Sequence, residues 1–350
     1  MSLQSSFNLP SAITALTIVD DDGLCVGSED GCLRLYHLPS PRVVRAVKSI
    51  GSEISSIVSH QSKKSETSAI WLASGQRAYS FPSKADKLII APEDATASVT
   101  LGEDEEDVLN ELSISDNGQY LAFSTDGGSA GVIELSTVKV TRMKTRHSNI
   151  CGSVKFIPGR PSELVSGGYD SALLHYDFAQ GRTLSRYDIT AAPPSSGISL
   201  SPPFILSTAI SPTALFAAGT ADGRVWLGGG GEKRASSAKK KRSRKWEGLK
   251  EDEGVWMQVA EGPIVAVAFC GMSTLYTCTL LGTLARYQIS RNEGGNLHSE
   301  RTWSAEAKAI EKVNAISINE KWLVVGGLDK AGKGVAEVWD VTSLTQIENA

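Results

Sequence analysis

The sequence predicts an all-β molecule built as a closed ring of seven similar sheets. Three observations predict it. A pattern of three short strands recurs seven times along the 350 residues. The strands alternate apolar and polar positions with period two, and no long helical stripe competes with them. The copies are punctuated by strong turn signals, among them Asp30-Gly31, Asn117-Gly118, Asp126-Gly127 and Asp222-Gly223.

Each copy opens with an alternating strand, continues with an apolar strand ending in small residues, and closes with a strand that often carries an aromatic. The first copy runs Ile13–Val19, Leu24–Ser28 and Leu33–Tyr36, and the second Ile54–Ser59, Ala69–Ser74 and Arg77–Phe81. The third is Leu109–Ser115, Tyr120–Ser124 and Gly131–Leu135. The fourth is Gly152–Ile157, Glu163–Gly168 and Ala172–Phe178. The fifth is Ile205–Ser211, Leu215–Gly219 and Gly223–Leu227, the sixth Ile264–Cys270, Thr274–Cys278 and Thr283–Ile289. The seventh is Val313–Asn319, Trp322–Gly327 and Gly334–Val341. From Tyr36 to Trp339 the mean step is about 50 residues, close to a propeller blade with insertions.

A small sheet cannot bury both of its faces alone, so the seven are expected to stack around an axis as a β-propeller spanning residues 1–350 as a single domain. The last copy stops near its third strand. Leu3–Leu9 is therefore expected to close the last blade as its outer strand, which removes an exposed strand edge.

Bulk properties narrow the function. Hydrophobic residues make up 41% of the chain, enough for a large core without disulfides or metals. The N-terminus has no basic region followed by an apolar run, so no secretory signal is read. No apolar run is long enough to span a bilayer, and no membrane partner is expected. The five cysteines, Cys25, Cys32, Cys151, Cys270 and Cys278, form no CxxC pair and mostly sit in strand-like runs. They read as reduced, buried thiols of an intracellular protein.

Residues 228–254 break the repeat. Four glycines lead into Lys233, Arg234, Lys239, Lys240, Lys241, Arg242, Arg244 and Lys245. A flexible basic insertion between blades 5 and 6 is expected. Lys239, Lys240, Lys241, Arg242, Arg244 and Lys245 form a candidate nuclear-localisation signal, giving an expected distribution over nucleus and cytoplasm. Without the eight cations the net charge of −4 becomes −12. An acidic body opposes phosphate binding over a broad face, so nucleic acid is not expected to bind the propeller body itself. The acidic run Glu103–Asp107 reads as a solvated connection.

No catalytic, cofactor-binding or metal-ligating set emerges, and an enzyme is not expected. His37, His60, His147, His175 and His298 lack metal-ligand spacing with one another or with cysteine. Gly327–Lys333 imitates a phosphate-binding loop, but Gly334 stands where Ser or Thr is needed and strands flank it on both sides. In copy four, His147 precedes the first strand, Ser166 lies in the second, Asp170 in the next turn and Tyr176 in the third. This order predicts a structural hydrogen-bond relay, in which a buried His and Asp satisfy each other and lock the turn. Propellers bind through loops at one end of the channel, so Arg146 and Asn149, which border such a turn, are partner-rim candidates.

The relay and the intact dipeptide Trp339-Asp340 resemble the WD40 repeat pattern across nearly the whole chain. A more specific likeness lies between Asp107 and Leu184. Arg146-His-Ser-Asn-Ile-Cys151-Gly-Ser-Val154, then Arg160-Pro161 and Leu164-Val165-Ser166, resemble the WD repeat-containing protein 53 family, as do Asn110, Leu112 and Lys312-Val313-Asn314. The resemblance implies a seven-bladed WD40-type propeller serving as a non-enzymatic protein-interaction scaffold, a monomer within a larger complex. It also implies a substrate receptor docked on the damaged-DNA-binding adaptor of a cullin-4 ubiquitin ligase, often through a Trp-Asp-x-Arg box. Here Trp339-Asp340-Val341 is followed by Thr342, and Tyr176-Asp177-Phe178 by Ala179. The alternative reading is a ribosome-assembly or chromatin-associated factor that contacts nucleic acid through the basic insertion.

Overall fold

The computed structural model describes residues 1–60, 69–84, 87–191, 201–229 and 246–342. Its strands form seven sheets, antiparallel but for one short parallel pair in blade 1, and the innermost strand of each packs against the innermost strand of the next until the seventh meets the first. These innermost strands are Ile13–Val19, Ile54–His60, Leu109–Ile114, Cys151–Phe156, Ile205–Ile210, Ile264–Cys270 and Lys312–Ile318. They enclose a central channel of about 600 Å³.

All seven innermost strands carry a β-bulge near their start, between Ile13 and Ala15, Ile54 and Ser56, Leu109 and Leu112, Cys151 and Ser153, Ile205 and Ser207, Ile264 and Ala266, and Val313 and Ala315. A bulge leaves one residue unpaired and re-aims its side chain. Here the freed side chains join neighbouring blades. Asn314 Nδ2 donates to Ile13 O at 2.8 Å, Thr14 Oγ1 to Ile54 O at 2.6 Å, and Asn110 Nδ2 to Cys151 O at 3.2 Å. Each bond is accepted by the carbonyl at the bulge of the next blade.

The N-terminal strand, Ser2–Leu9, pairs with Gly334–Asp340, in register from Leu3 opposite Trp339 to Leu9 opposite Gly334. Phe7 and Leu9 enter a core shared by blades 7 and 1, with Tyr36, Leu38, Trp322, Val324 and Val338. The Phe7 and Tyr36 rings lie 4.8 Å apart. Burial of this kind contributes about 1.5–3 kcal/mol per large side chain. A polar seam reinforces the same junction: Trp322 Nε1 and Lys321 Nζ both reach Asp22 Oδ1 at 2.7 Å. Those two donors hold the Asp22 carboxyl below its usual range.

Three features differ from the sequence expectation. The first is the insertion at 228–254, expected to be flexible throughout. Residues 230–245, which hold the candidate localisation signal, lie outside the described residues. The stretch that follows is packed: Trp246 and Leu249 are buried against Ile157, Val165, Leu173 and Phe216 of blades 4 and 5. The Trp246 ring meets His175 edge-on at 5.0 Å, and its Nε1 donates to Ala214 O at 3.0 Å. One large apolar ring outweighs a basic neighbourhood in sequence, because burying it is favourable wherever a pocket accepts it.

The second is the acidic run. Asp104, Glu105 and Glu106 are exposed, but Asp107 is buried and accepts from the N–H of Gly127 at 2.7 Å and of Glu103 at 2.8 Å. The third is blade 1, which carries a fifth strand. After Pro82 the chain leaves blade 2, and Ile89–Ile90 pairs in parallel with Val43–Val47 at the outer edge of blade 1. The chain then returns through Ala97–Thr100 to complete blade 2.

Candidate interaction rim

The turns that precede the innermost strands and those that join second to third strands lie at the same end of the ring. In four blades an aspartate occupies the same place in the second of these turns: Asp30, Asp170, Asp222 and Asp329. Each organises its turn, and the residue two positions earlier decides how.

In blades 1 and 5 that earlier residue carries a hydroxyl. Ser28 Oγ donates to Asp30 Oδ1 at 2.6 Å, and Thr220 Oγ1 to Asp222 Oδ1 at 2.5 Å. An arginine completes both clusters: Arg34 Nη2 lies 2.9 Å from Asp30, and Arg224 Nη2 lies 2.6 Å from Asp222. The Arg224 guanidinium also sits 4.4 Å from the centre of the Trp256 ring. In blade 4 the earlier residue is Gly168, and the space goes to histidine. A Cβ on Gly168 would fall 2.4 Å from His147 Nδ1 and 2.6 Å from Asp170 Oδ1.

His147 is thus free to bridge. Its Nδ1 lies 2.8 Å from Asp170 Oδ1 and its Nε2 lies 2.8 Å from Ser166 Oγ. An ionised carboxylate only accepts, so the proton belongs on Nδ1 and Nε2 accepts from Ser166. The Tyr176 hydroxyl stands 3.4 Å from Ser166 Oγ and donates to Thr145 O at 3.2 Å. Asp170 also accepts from the N–H of Ser148 and of Ala172. The structure therefore brings His147, Ser166, Asp170 and Tyr176 into one chain, which ties the loop before blade 4 to two of its strands. Burial pushes the His147 imidazole below its ordinary pKa, although Asp170 pulls the other way. At Asp170, burial works to raise the carboxyl, but the hydrogen bond and charge of His147 and two backbone N–H groups hold it low.

The relay leaves Ser148 and Asn149 exposed on a fixed loop. Arg146 is exposed as well, yet engaged: its guanidinium makes a bidentate pair with Glu103 at 2.7 and 2.8 Å, and Arg142 Nε meets the same carboxylate at 3.0 Å. The hydrogen bond from Arg146 is the main reason Glu103 lies below its usual range. Of the two rim candidates, Asn149 is presented outward, while Arg146 fastens the loop of blade 3 to that of blade 4.

The hairpin at Gly327–Lys333 works against phosphate. The N–H groups of Ala331 and Lys333 donate to Asp329 Oδ1 at 2.8 and 2.9 Å, so a carboxylate fills the place a phosphate would take. Among the described residues no group of three or more His, Cys, Asp or Glu is placed to hold a metal ion.

A second buried histidine escaped the sequence reading. His175 lies opposite Val165 on the adjoining strand, and its Nε2 meets Glu163 Oε2 at 2.8 Å beneath Trp246. Its only signal in the sequence is an acid two residues from its cross-strand partner.

No family model matches the chain. A 79-residue stretch is 32% identical to the WD repeat-containing protein 53 homolog of Dictyostelium discoideum, covering 22% of this chain and 22% of that protein. The ring of seven blades, its relay and this local likeness agree. The chain is a WD40-type β-propeller. WD40 propellers generally bind other proteins and generally serve as non-enzymatic scaffolds. The match spans about a fifth of the relative's length, so what that relative does is carried over to this WD40 propeller only as a proposal.

Proposed function

We propose that this propeller is a protein-interaction scaffold of nucleus and cytoplasm, whose partner is gripped at the rim around the loop of blade 4. The observation that carries the reading is the fate of the polar groups there. His147, Ser166, Asp170 and Tyr176 bond to one another and to backbone, while Ser148 and Asn149 remain outward on a locked loop. Such a loop loses little conformational entropy when it is bound, which favours recognition.

The finer reading is a substrate receptor of a cullin-4 ubiquitin ligase. It is supported by the likeness to the WD repeat-containing protein 53 homolog. The box associated with adaptor docking is incomplete, for Thr342 occupies the arginine position and both its N–H and its hydroxyl are bonded to Asp340 Oδ1. Docking in this chain then has to use other residues.

Affinity purification of the tagged full-length chain, followed by mass spectrometry, tests both levels. The scaffold reading expects a reproducible partner set that Asn149→Arg depletes. Absence of the cullin-4 adaptor from that set removes the ligase reading alone. Neutralising Lys239–Lys245 is expected to abolish nuclear accumulation, followed by microscopy of a fluorescent fusion.

A further inference from the structure

The outer edge of blade 1 is unlike the other six. Every blade ends in a strand whose far side faces solvent, and such edges are normally blunted with charged or polar residues. Blade 4 ends in Arg182–Asp188 and blade 6 in Leu297–Glu306, both rich in charge. Blade 1 instead ends in Ile89–Ile90. Leu88 is 72% exposed and Ile89 61%, and beside them Val43 and Val44 are 42% and 48% exposed. Half of the exposed large hydrophobic side chains among the described residues gather at this one edge.

The edge also offers backbone. Ala46 N–H donates to Leu88 O, and Lys48 N–H to Ile90 O, both at 3.0 Å. In a parallel strand the polar groups of alternate residues point to opposite sides, so those of Ile89 face away from the sheet. The segment is held in place rather than hanging loose. Ile90 is buried in the core shared by blades 1 and 2, Arg45 Nη1 donates to Ser83 O at 2.6 Å, and Lys87 pairs with Asp94 at 2.5 Å.

Charge selects the occupant. Among the described residues, Arg42, Arg45, Lys48, Lys84 and Lys87 flank the apolar strip along the chain, against Glu93 and Asp94, so this edge carries an excess of positive charge on an otherwise acidic propeller. A second copy paired edge to edge would set like charges against each other, which is unfavourable across adjacent strands. We propose that the outer edge of blade 1 is a docking site for an extended peptide segment of a partner protein, alternating apolar and acidic residues, which adds to the sheet as a sixth strand. Main-chain hydrogen bonds to Ile89 give affinity. Val43, Val44, Leu88 and Ile89 receive the apolar side chains, and the lysines and arginines receive the carboxylates.

The probe is a fluorescein-labelled octapeptide of four Glu-Val repeats, followed by fluorescence anisotropy with the full-length chain. Saturable binding is expected, weakened at least about tenfold by the double variant Leu88→Asp, Ile89→Asp. Both side chains are exposed, and an unchanged melting curve shows that the variant is folded. A peptide of four Lys-Val repeats should not saturate, and backbone N-methylation of the Glu-Val peptide should abolish binding. The proposal is overturned by any of four results: no Glu-Val binding up to about 1 mM, equal binding by the double variant, equal binding of the lysine peptide, or indifference to N-methylation. Two more would reassign the edge. One is a dimer in sedimentation that the double variant dissolves, and the other is adsorption to phosphatidylserine vesicles that the same variant removes while the peptide fails to bind. The site is remote from the rim at blade 4, so Asn149→Arg should leave peptide binding intact, and failure of either reading is separable from the other.

Discussion

His147 shows how one position converts a loop into a fixed surface. Its ring is enclosed between Asp170 and Ser166, and its existence there depends on the missing side chain of Gly168. Replacing His147 by Ala leaves a buried hydroxyl and a carboxylate short of partners, which costs about 2–3 kcal/mol in urea denaturation. Tyr176→Phe removes the bond to Thr145 O and the longer contact with Ser166 Oγ, and should cost about 1 kcal/mol. The imidazole also makes stability depend on pH. Its folded-state pKa lies below the ordinary 6.5. The unfolded chain therefore binds the proton first, and stability is full above that value and lost as pH falls below it. Denaturation midpoints compared between pH 7.5 and 5.5 should drop less for His147→Gln than for the parent chain. An equal drop would show that other groups carry the effect. The four relay residues were legible in the sequence because their order follows the strands. The clusters at Asp30 and Asp222 were not, because Arg34 and Arg224 replace histidine and only the pairing of strands brings them to those turns.

Among the elements, the first three strands of each blade could be read because they are buried and alternate. Their outer strands could not, since a strand such as Arg182–Asp188 has one wet face, much charge and few apolar positions to count. Ser2–Leu9 is the exception, inferred from the incomplete seventh copy rather than from its own pattern. Trp246 was concealed by the cations before it. Phe7→Ala and Trp246→Ala each remove a buried aromatic, and each should cost about 3–5 kcal/mol. Their consequences differ in kind. Phe7→Ala loosens the strand that seals blade 7, so it should raise the proteolysis of the N-terminal residues along with global unfolding. Trp246→Ala empties a contact on the outside of blades 4 and 5. It should leave N-terminal protection unchanged at equal denaturant. Limited proteolysis read by mass spectrometry distinguishes the two.

The whole molecule is an acidic ring with one basic stretch. Removing residues 230–245 takes away eight cations and Glu232, so the net charge of −4 becomes −11. A variant lacking residues 230–245 should therefore show no retention on duplex DNA or RNA at about 150 mM salt. Retention by that variant would mean that the body itself binds phosphate, with the cationic outer edge of blade 1 as the first place to test.

The strand that seals blade 7, Ser2–Leu9, precedes the other blades in sequence, while its partner, Gly334–Asp340, follows them. Six blades can assemble while synthesis continues, but the seventh must wait until Gly334–Asp340 has been made. A product cut short before Gly334 would leave Ser2–Leu9 without its partner strand, an unpaired edge open to proteases.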